Sequence, residues 1–392
     1  MKKRSGPTLL DLTEFFSEKG GGVRTYLEQK AAWLSTNTDW NHVIVVPGPR
    51  DSVEEWHGAA LHRIRGPKAP ASPGYHVFKD PGRIRSLFED IRPDLVEVGS
   101  IYLAPWLARY AADGLSLPVV AYYHMDLPSV VRQTLENSVP GLVLGPLTRM
   151  TQAYTRAAYA NCAAIAAASP SAAKTLKELG LPDVRQVPLG VDSELFNPKL
   201  KNGAWRAELG INRDKKIALY AGRLSGEKGV RVILDALPGL SEGAGIHVIM
   251  IGDGHMKDEL ETYSKGHPDR LTVLPFESDR NRLAAIYASA DMYISPFPNE
   301  TFGLSTIEAM ASGLPVAGVD AGGVRDLIDG QPWARSYRVG DHDGLVGAAL
   351  DLVACDLNVL GAEARTSAVS RFGWDSTWTD MLNLYEGVLA RR

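Results

Sequence analysis

The stretch PFPNETFGLSTIEAMASGLPV, residues 296–316, places two glutamates on either side of a short apolar turn. Glu300 precedes the turn in a loop that is interrupted by Pro296 and Pro298, and Glu308 follows it within a run of helical spacing. We therefore predict a loop that opens into a helix, with one carboxylate in the loop and the other one turn into the helix. The alternative is a pair of solvated acids beside a buried helix rich in Ala and Met.

Short apolar runs alternate with helical patterns along the whole chain. The predicted strands are 8–12, 42–47, 95–98, 118–123 and 163–168 in the first half, and 216–221, 247–251, 271–274, 291–295, 315–319 and 337–339 in the second. This alternation predicts an α/β fold of parallel sheets with helices on both faces. The number of strands and a polar gap at 197–203 indicate two such domains.

The composition is that of a globular protein without special features. Of 392 residues 45% are hydrophobic and 22% charged, and the net charge of −4 does not indicate nucleic-acid binding. We expect Cys162 and Cys355 to be small buried residues and not part of a disulfide framework. The basic start is not followed by a long apolar run, and no stretch of about 18 apolar residues occurs, so we expect a cytoplasmic protein.

Ligands of open parallel sheets bind beyond the carboxyl ends of the strands, so the loops there are informative. After the strand at 216–221 comes YAGRLSGEKG, residues 220–229, in which Gly222 lies beside Arg223 and Lys228 follows. Such a loop can bring backbone amides close to a phosphate while the cations neutralise it. The alternative is that Lys228 is solvated and Arg223 pairs with a surface acid.

The first half has two comparable features. Gly20, Gly21 and Gly22 precede a helix predicted at 23–34, where backbone amides can approach a ligand. A plain flexible loop is the alternative. His124 ends the strand at 118–123, with Asp126 two residues later, and could exchange a hydrogen bond with a ligand hydroxyl or stabilise a developing charge. A histidine without any function is the other interpretation.

With these residues the chain resembles the family 4 retaining glycosyltransferases, which have the GT-B architecture. Glu300 and Glu308 match the E-x7-E motif, residues 220–229 match the G-R-L-x-x-E-K-G loop, and PLGVD at 188–192 matches the P-N-G-V-D strand end. Residues 21–23 and His124 match the glycine loop and the histidine strand end of the first domain. Two departures are Leu189, where Asn is commoner, and the absence of a glycine in 274–279, near the nucleotide base.

The resemblance implies two Rossmann-like, doubly wound domains facing a cleft, with a first domain at 1–196, a second at 197–373, and a helix at 374–392 that returns to the first. It implies transfer of a hexose, with retention, from a nucleotide-diphosphate sugar of the GDP-mannose or UDP-glucose type. It assigns the chemistry to His124, Arg223, Lys228 and Glu300. It assigns donor binding to Gly21, Gly22, Gly222, Thr301, Phe302, Gly303, Leu304, Ser305 and Glu308.

Within this resemblance, Glu300 contacts the donor sugar, Glu308 binds the ribose, and the amides between them meet the diphosphate. The only D-x-D, Asp341-His342-Asp343, is better explained as a helix cap, so we expect no metal and no other cofactor, with the cations replacing the metal. Asp126 is a candidate base on the acceptor side.

The acceptor is expected to be a glycan or a lipid-linked molecule, in polysaccharide or glycolipid synthesis. Residues 129–160 could contact the inner face of a membrane, or could form a helix pair packed on the sheet. Two other functions stay open. A non-hydrolysing sugar-nucleotide epimerase would need further catalytic acids and a histidine near the diphosphate in the second domain. The sequence shows no such set, and His255 after Gly252-Asp253-Gly254 is only a weak match for the histidine. A catalytically silent nucleotide-sugar-binding subunit would be expected to have lost some of the matched residues.

Overall fold

The computed structural model describes residues 5–18, 20–69, 74–136 and 139–391. The chain divides into two compact units, Met1–Pro188 with Asp375–Arg392, and Leu189–Trp374. The division therefore falls before residue 196, where the sequence analysis placed it. The segment that follows Pro188 belongs to the second unit because Arg365 of that unit donates to the carbonyls of Ser193 and Phe196.

The described residues of the first unit form an eight-stranded sheet. Its strands are Thr8–Leu12 (β1), Asn41–Gly48 (β2), Ser52–Trp56 (β3), Ala59–Arg65 (β4), Leu95–Val98 (β5), Val119–Tyr123 (β6), Ala164–Ala167 (β7) and Val184–Gln186 (β8). Their order is β3-β4-β2-β1-β5-β6-β7-β8, and every neighbouring pair is parallel except the β3–β4 hairpin. The sequence analysis missed three of these strands: β3 is mostly exposed, β8 has only three residues, and β4 mixes buried and partly buried positions without a regular alternation.

Helices connect the parallel strands of this unit. They are Gly22–Asn37 (α1), Pro81–Ile91 (α2), Ala104–Ala112 (α3), Leu127–Leu135 (α4), Gly141–Tyr159 (α5) and Pro170–Glu178 (α6). The core lies between them and the sheet and includes Leu10, Val96, Phe88 and Ile165, which are fully buried. Since β1 lies between β2 and β5, the order of strands reverses there, and the loops after β1, β5 and β6 share the carboxyl edge next to this point.

The second unit is a six-stranded parallel sheet in the order β11-β10-β9-β12-β13-β14. Its strands are Lys216–Ala221 (β9), Ile246–Ile251 (β10), Leu271–Leu274 (β11), Met292–Ser295 (β12), Val316–Val319 (β13) and Ala334–Tyr337 (β14). Its helices are Trp205–Glu208 (α7), Val230–Ala244 (α8), Lys257–Gly266 (α9), Arg280–Ser289 (α10), Leu304–Ala311 (α11), Gly322–Ile328 (α12), His342–Val353 (α13) and Leu357–Arg371 (α14). The order of strands reverses at β9, so the loops after β9 and β12 flank the position where such sheets bind ligands.

The structure settles three further predictions, two about elements of the second unit and one about the cysteines. The strand predicted at 337–339 is wrong in its position along the chain, because β14 ends at Tyr337 and Val339 is 57% exposed. The interpretation of Asp341 as a helix cap is confirmed, since its carboxylate accepts from the backbone N–H of Gly344 at the start of α13. Cys355 is exposed, contrary to the expectation that both cysteines are buried, whereas Cys162 is buried.

The last helix, Trp374–Leu389 (α15), lies for nearly all its length in the first unit. Its buried side chains include Trp378, Met381 and Tyr385. The indole N–H of Trp33 on α1 donates to Asp375 over 2.7 Å. Among the described residues no single helix is long and apolar enough to cross a membrane; α13 and α14 pass that criterion only as a pair, and the pair is bent by 103°.

Candidate active site

The loop after β9 carries the predicted cations and is held by its neighbours. Gly222 and Arg223 are exposed at its tip, and the hydroxyl of Tyr220 donates to the carbonyl of Arg223 over 2.8 Å. A Cβ atom at Gly252 would lie 1.9 Å from the carbonyl oxygen of Gly222, and one at Gly254 would lie 2.2 Å from that of Leu224. The turn Gly252-Asp253-Gly254 after β10 therefore packs directly on the cation loop, and only glycine fits at its two ends.

The structure brings Lys228 and Glu300 together across the loops after β9 and β12. The ammonium of Lys228 lies 3.5 Å from a carboxylate oxygen of Glu300 and 3.6 Å from the centroid of the Phe297 ring. The two charged side chains are 31% and 27% exposed, so the pair is accessible to a ligand. A cation and a carboxylate thus lie side by side at the position where the strand order reverses.

The backbone around Glu300 is fixed by a second pair of glycines. The N–H of Gly323, in α12, donates to the carbonyl of Glu300 over 2.6 Å. A Cβ atom at Gly323 would lie 2.6 Å from the backbone nitrogen of Phe302, and one at Gly322 would lie 2.8 Å from the carbonyl oxygen of Glu300. The sequence analysis missed this support, although the Gly-Gly pair two residues beyond β13 was a signal for close packing.

The predicted diphosphate-binding turn opens α11. Gly303 is its N-terminal cap, with φ of 105°, and its carbonyl accepts from the N–H groups of Thr306 and Ile307. The amides of Leu304 and Ser305 precede these first hydrogen bonds of the helix. Leu304 and Ser305 are partly exposed at this start. Phe302, by contrast, is buried against the Phe372 ring, so it anchors the turn and presents no side chain to a ligand.

Glu308 is joined to a cation that the sequence analysis did not single out. Its carboxylate accepts from the guanidinium of Arg280 over 2.8 Å, and the side chains of Glu308 and Arg280 are 9% and 40% exposed. The guanidinium carbon also lies 4.8 Å from the centroid of the buried Phe196 ring. Arg280 is the first residue of α10, where the helix dipole disfavours a cation, and this unfavourable placement was the available signal.

His124 follows β6 at the carboxyl edge of the first unit. Its ring stacks on Tyr122, with the centroids 4.5 Å apart, and meets the Tyr26 ring edge-on at 4.8 Å. Its side chain is partly buried, and its Nε2 atom is covered. Burial, together with the positive charge of Lys30, lowers the pKa of His124 to about 3. The imidazole is therefore neutral near pH 7, suited to hydrogen bonding with a hydroxyl and not to acting as a cation.

The other predicted residues of the first unit lie at helix starts. Gly21 caps α1 and Gly22 is its first residue, and both are exposed. Asp126 caps α4, because one carboxylate oxygen accepts from the N–H of Ser129 over 3.2 Å and the other from its hydroxyl over 2.8 Å. The capping bonds engage both oxygens that a catalytic base would use.

Two family models match the chain, Glycosyltransferase Family 4 over residues 20–195 and Glycosyl transferases group 1 over residues 201–346. A GDP-mannose-dependent α-mannosyltransferase of Mycobacterium tuberculosis is 30% identical over 354 residues, which cover 88% of this chain and 87% of the relative. The chain belongs to glycosyltransferase family 4. A protein of the same description from Corynebacterium glutamicum is 27% identical over 365 residues, which cover 89% of this chain and 81% of the relative.

Solved structures of low sequence identity show the fold of this family 4 member. Sucrose-phosphate synthase from Thermosynechococcus elongatus superposes with a TM-score of 0.80 at 20% identity, covering 98% of this chain and 100% of the other. The Anabaena protein HepE, solved with UDP and glucose, gives a TM-score of 0.73 at 16% identity, covering 97% and 100%. The prediction of two Rossmann-like units of the GT-B class is confirmed. The protein is a glycosyltransferase that uses a nucleotide-sugar donor.

Proposed function

We propose that this glycosyltransferase moves a mannosyl group from GDP-mannose to a glycan or lipid-linked acceptor, with retention of anomeric configuration and without a metal ion. The observation that carries the proposal is the Lys228–Glu300 pair beside the start of α11. The choice of donor is supported by the relatives, since those of Mycobacterium tuberculosis and Corynebacterium glutamicum are described as GDP-mannose-dependent.

The second unit holds the donor in this proposal. The first amides of α11, together with Arg223 and Lys228, bind the diphosphate. Glu300 accepts hydrogen bonds from the sugar hydroxyls, and Glu308 accepts them from the ribose hydroxyls. As the glycosidic bond breaks, negative charge gathers on the departing diphosphate, and fixed cations near that charge lower the barrier. Because the Lys228–Glu300 pair is partly exposed, each partner can exchange its contact for one with the donor at little cost.

Retention is proposed to follow from attack on the face from which the diphosphate leaves. The neutral imidazole of His124 serves as a hydrogen-bond partner for a sugar hydroxyl. The candidate base Asp126 would have to give up one of its bonds to Ser129 before it could take the acceptor proton. The departing diphosphate, whose oxygens carry the growing charge, is the other acceptor for that proton.

Helix α5 supports the finer proposal that the acceptor is presented at a lipid surface. Leu142 is 92% exposed, Val143 and Met150 are more than half exposed, and Arg149 and Arg156 are exposed on the same helix. Exposed apolar side chains next to cations suit a peripheral contact with anionic lipids. Co-sedimentation with vesicles that contain anionic lipid tests this contact, and we expect Leu142→Glu to reduce it. Equal sedimentation of the two proteins would contradict it.

The donor is tested by incubation with GDP-mannose, GDP-glucose and UDP-glucose, with methyl α-mannoside as acceptor. We expect GDP and an α-mannosylated product from GDP-mannose alone, at the same rate with and without EDTA. The anomeric configuration of the product, read by NMR, tests retention. Preferential use of UDP-glucose would overturn the choice of donor, and an epimerised donor would favour the epimerase. Binding of donor without any turnover would favour the silent subunit.

A further inference from the structure

A buried ionic cluster lies behind His124 in the first unit. The ammonium of Lys30 lies 2.8 Å from a carboxylate oxygen of Asp11 and 2.8 Å from one of Glu97, and all three side chains are at most 3% exposed. His42 approaches the same Asp11 carboxylate at 2.5 Å. Asp11, Lys30 and Glu97 lie on β1, α1 and β5, so the cluster joins three elements of the sheet layer.

Helix α15 completes this cluster. The hydroxyl of Tyr385 donates to one oxygen of Glu97, and the hydroxyl of Tyr26 donates to the other over 2.9 Å. The ring of Trp378, one of the largest fully buried side chains, lies 5.1 Å from the ring of Tyr26. The last helix of the chain therefore contacts Tyr26 through a ring and through a shared carboxylate.

Tyr26 connects the cluster to His124. Its ring lies 4.8 Å from the imidazole and 4.7 Å from the ammonium of Lys30, and its hydroxyl is bound to Glu97. The imidazole is held between Tyr26 and Tyr122, since it stacks on the latter. A change in the position of Tyr26 would therefore move one wall of the histidine site.

We propose that α15 positions His124, with Tyr385 and ionised Glu97 holding Tyr26 in the place that fixes the imidazole. Tyr385 and Glu97 are positioning residues in this scheme, since both act on His124 through Tyr26. The proposal rests on the proposed function only for the part that His124 plays in transfer. It makes the C-terminal helix a working part of the site of the first unit and not only a packing element.

The charge of Glu97 makes the arrangement testable. Burial raises the pKa of Glu97 to about 7, with the Asp11 carboxylate adding to the rise, while Lys30 and the Tyr385 hydroxyl oppose it. The titratable groups that face it are Asp11 from β1, Lys30 and Tyr26 from α1, Tyr122 from β6, and Tyr385 from α15. Once Glu97 is protonated, its carboxyl group no longer accepts equally from both tyrosines. We therefore expect kcat to fall as the pH is lowered through the pKa of Glu97.

The experiment compares the pH dependence of kcat in the wild-type enzyme and in Tyr385→Phe from pH 5 to 9. Loss of the Tyr385 hydroxyl removes a hydrogen bond to the Glu97 carboxylate and raises the pKa of Glu97. The acid limb of the kcat profile should therefore move up by about one pH unit, while the KM for the nucleotide sugar stays unchanged. Tyr337→Phe is the matched control, because Tyr337 is buried in the second unit and its hydroxyl has no partner in the described part of the chain. Glu97→Gln should remove the acid limb. A Tyr385→Phe profile that is unchanged, or only scaled, would overturn the proposal.

A second measurement does not need turnover. In protein labelled with ¹⁵N-histidine, the His124 resonances, identified with His124→Gln, should shift in Tyr385→Phe and stay in place in Tyr337→Phe. They should also respond to pH with the midpoint of Glu97. Unchanged His124 resonances in Tyr385→Phe would overturn the coupling even in an active enzyme. Absence of turnover with every donor, alongside the expected shifts, would instead count against the proposed function.

Discussion

Arg280 at the start of α10 and Glu308 in α11 form an ion pair of 2.8 Å, so the carboxylate assigned to the ribose is already oriented in the free protein. One carboxylate oxygen is engaged by the guanidinium. The ion pair also fixes the direction of the second carboxylate oxygen of Glu308. The Phe196 ring, which lies against the guanidinium, limits the movement of the Arg280 side chain. The site assigned to the ribose is therefore a carboxylate and a cation together.

Replacement of Arg280 by Met should lower the affinity for GDP and for GDP-mannose alike by about tenfold, because Glu308 loses the guanidinium that orients it. The kcat at saturating donor should change little, which is the mark of uniform binding. Arg282→Met is the control on the same helix, since Arg282 is mostly exposed and pairs with Glu277 instead. Calorimetry with GDP measures the affinity. Wild-type affinity in Arg280→Met would show that Glu308 needs no partner.

Removal of either cation of the β9 loop should slow the chemical step. Lys228→Ala and Arg223→Ala should each lower kcat on the order of 10²-fold, the scale for loss of one charge-stabilising donor. Arg231→Ala is the control, because Arg231 on α8 is exposed and pairs with Glu259. EDTA should leave the wild-type rate unchanged. Normal kcat in Lys228→Ala, or loss of activity in EDTA that Mg²⁺ restores, would contradict leaving-group stabilisation by cations alone.

The two glutamates of the E-x7-E motif should differ in what their loss affects. Glu308→Gln should lower the affinity for the nucleotide sugar and for bare GDP to a similar extent, with only a modest change in kcat. Glu300→Gln should lower kcat sharply and leave GDP affinity almost unchanged, because bare GDP has no sugar hydroxyl for it to bind. Calorimetry with GDP and steady-state kinetics measure the two effects. If Glu300→Gln loses GDP as badly as Glu308→Gln, the assignment of sugar and ribose is wrong.

Acid should destabilise the fold through His124. Its pKa is lowered from 6.5 to about 3 in the folded chain, so the unfolded chain binds more protons below pH 6.5. The burial of the neutral imidazole therefore does not lower the free energy of unfolding above pH 6.5. This free energy decreases as the pH falls below 6.5 towards the pKa in the folded chain. Between pH 6.5 and 5 the wild type should lose about 2 kcal/mol more of its unfolding free energy than His124→Gln. Urea unfolding at several pH values measures this, and equal pH slopes would refute it.

The strands of the second unit and the loops that follow them could be predicted because their information is local. An apolar run followed by Gly222 and Arg223, or by Glu300 and a helical repeat, can be recognised within about ten residues of sequence. The exposed strand β3 and the short β8 could not, because neither shows an apolar period. Val339 caused the opposite error, because it is apolar and was included in a predicted strand although it lies just beyond β14 and faces solvent.

What the sequence could not supply is contact between distant residues. Arg280 and Glu308 are on different helices, and Arg280 carries no motif. The cluster of Asp11, Lys30 and Glu97 is completed by Tyr385 from the end of the chain, and each of these is an ordinary residue in its own neighbourhood. The domain boundary was placed late for a related reason, because it depends on bonds from Arg365 to carbonyls far back in sequence.

The packing of Gly252 and Gly254 on the β9 loop has a consequence for anyone who would redesign the donor preference of this enzyme. The carbonyls of Gly222 and Leu224 leave no room for a side chain on the turn opposite, and the Asp253 carbonyl accepts from Leu224 in return. A β9 loop transplanted from a relative would therefore clash or lose its support unless the β10 turn of the same relative travelled with it. The two segments form one exchangeable module, although about thirty residues of chain separate them.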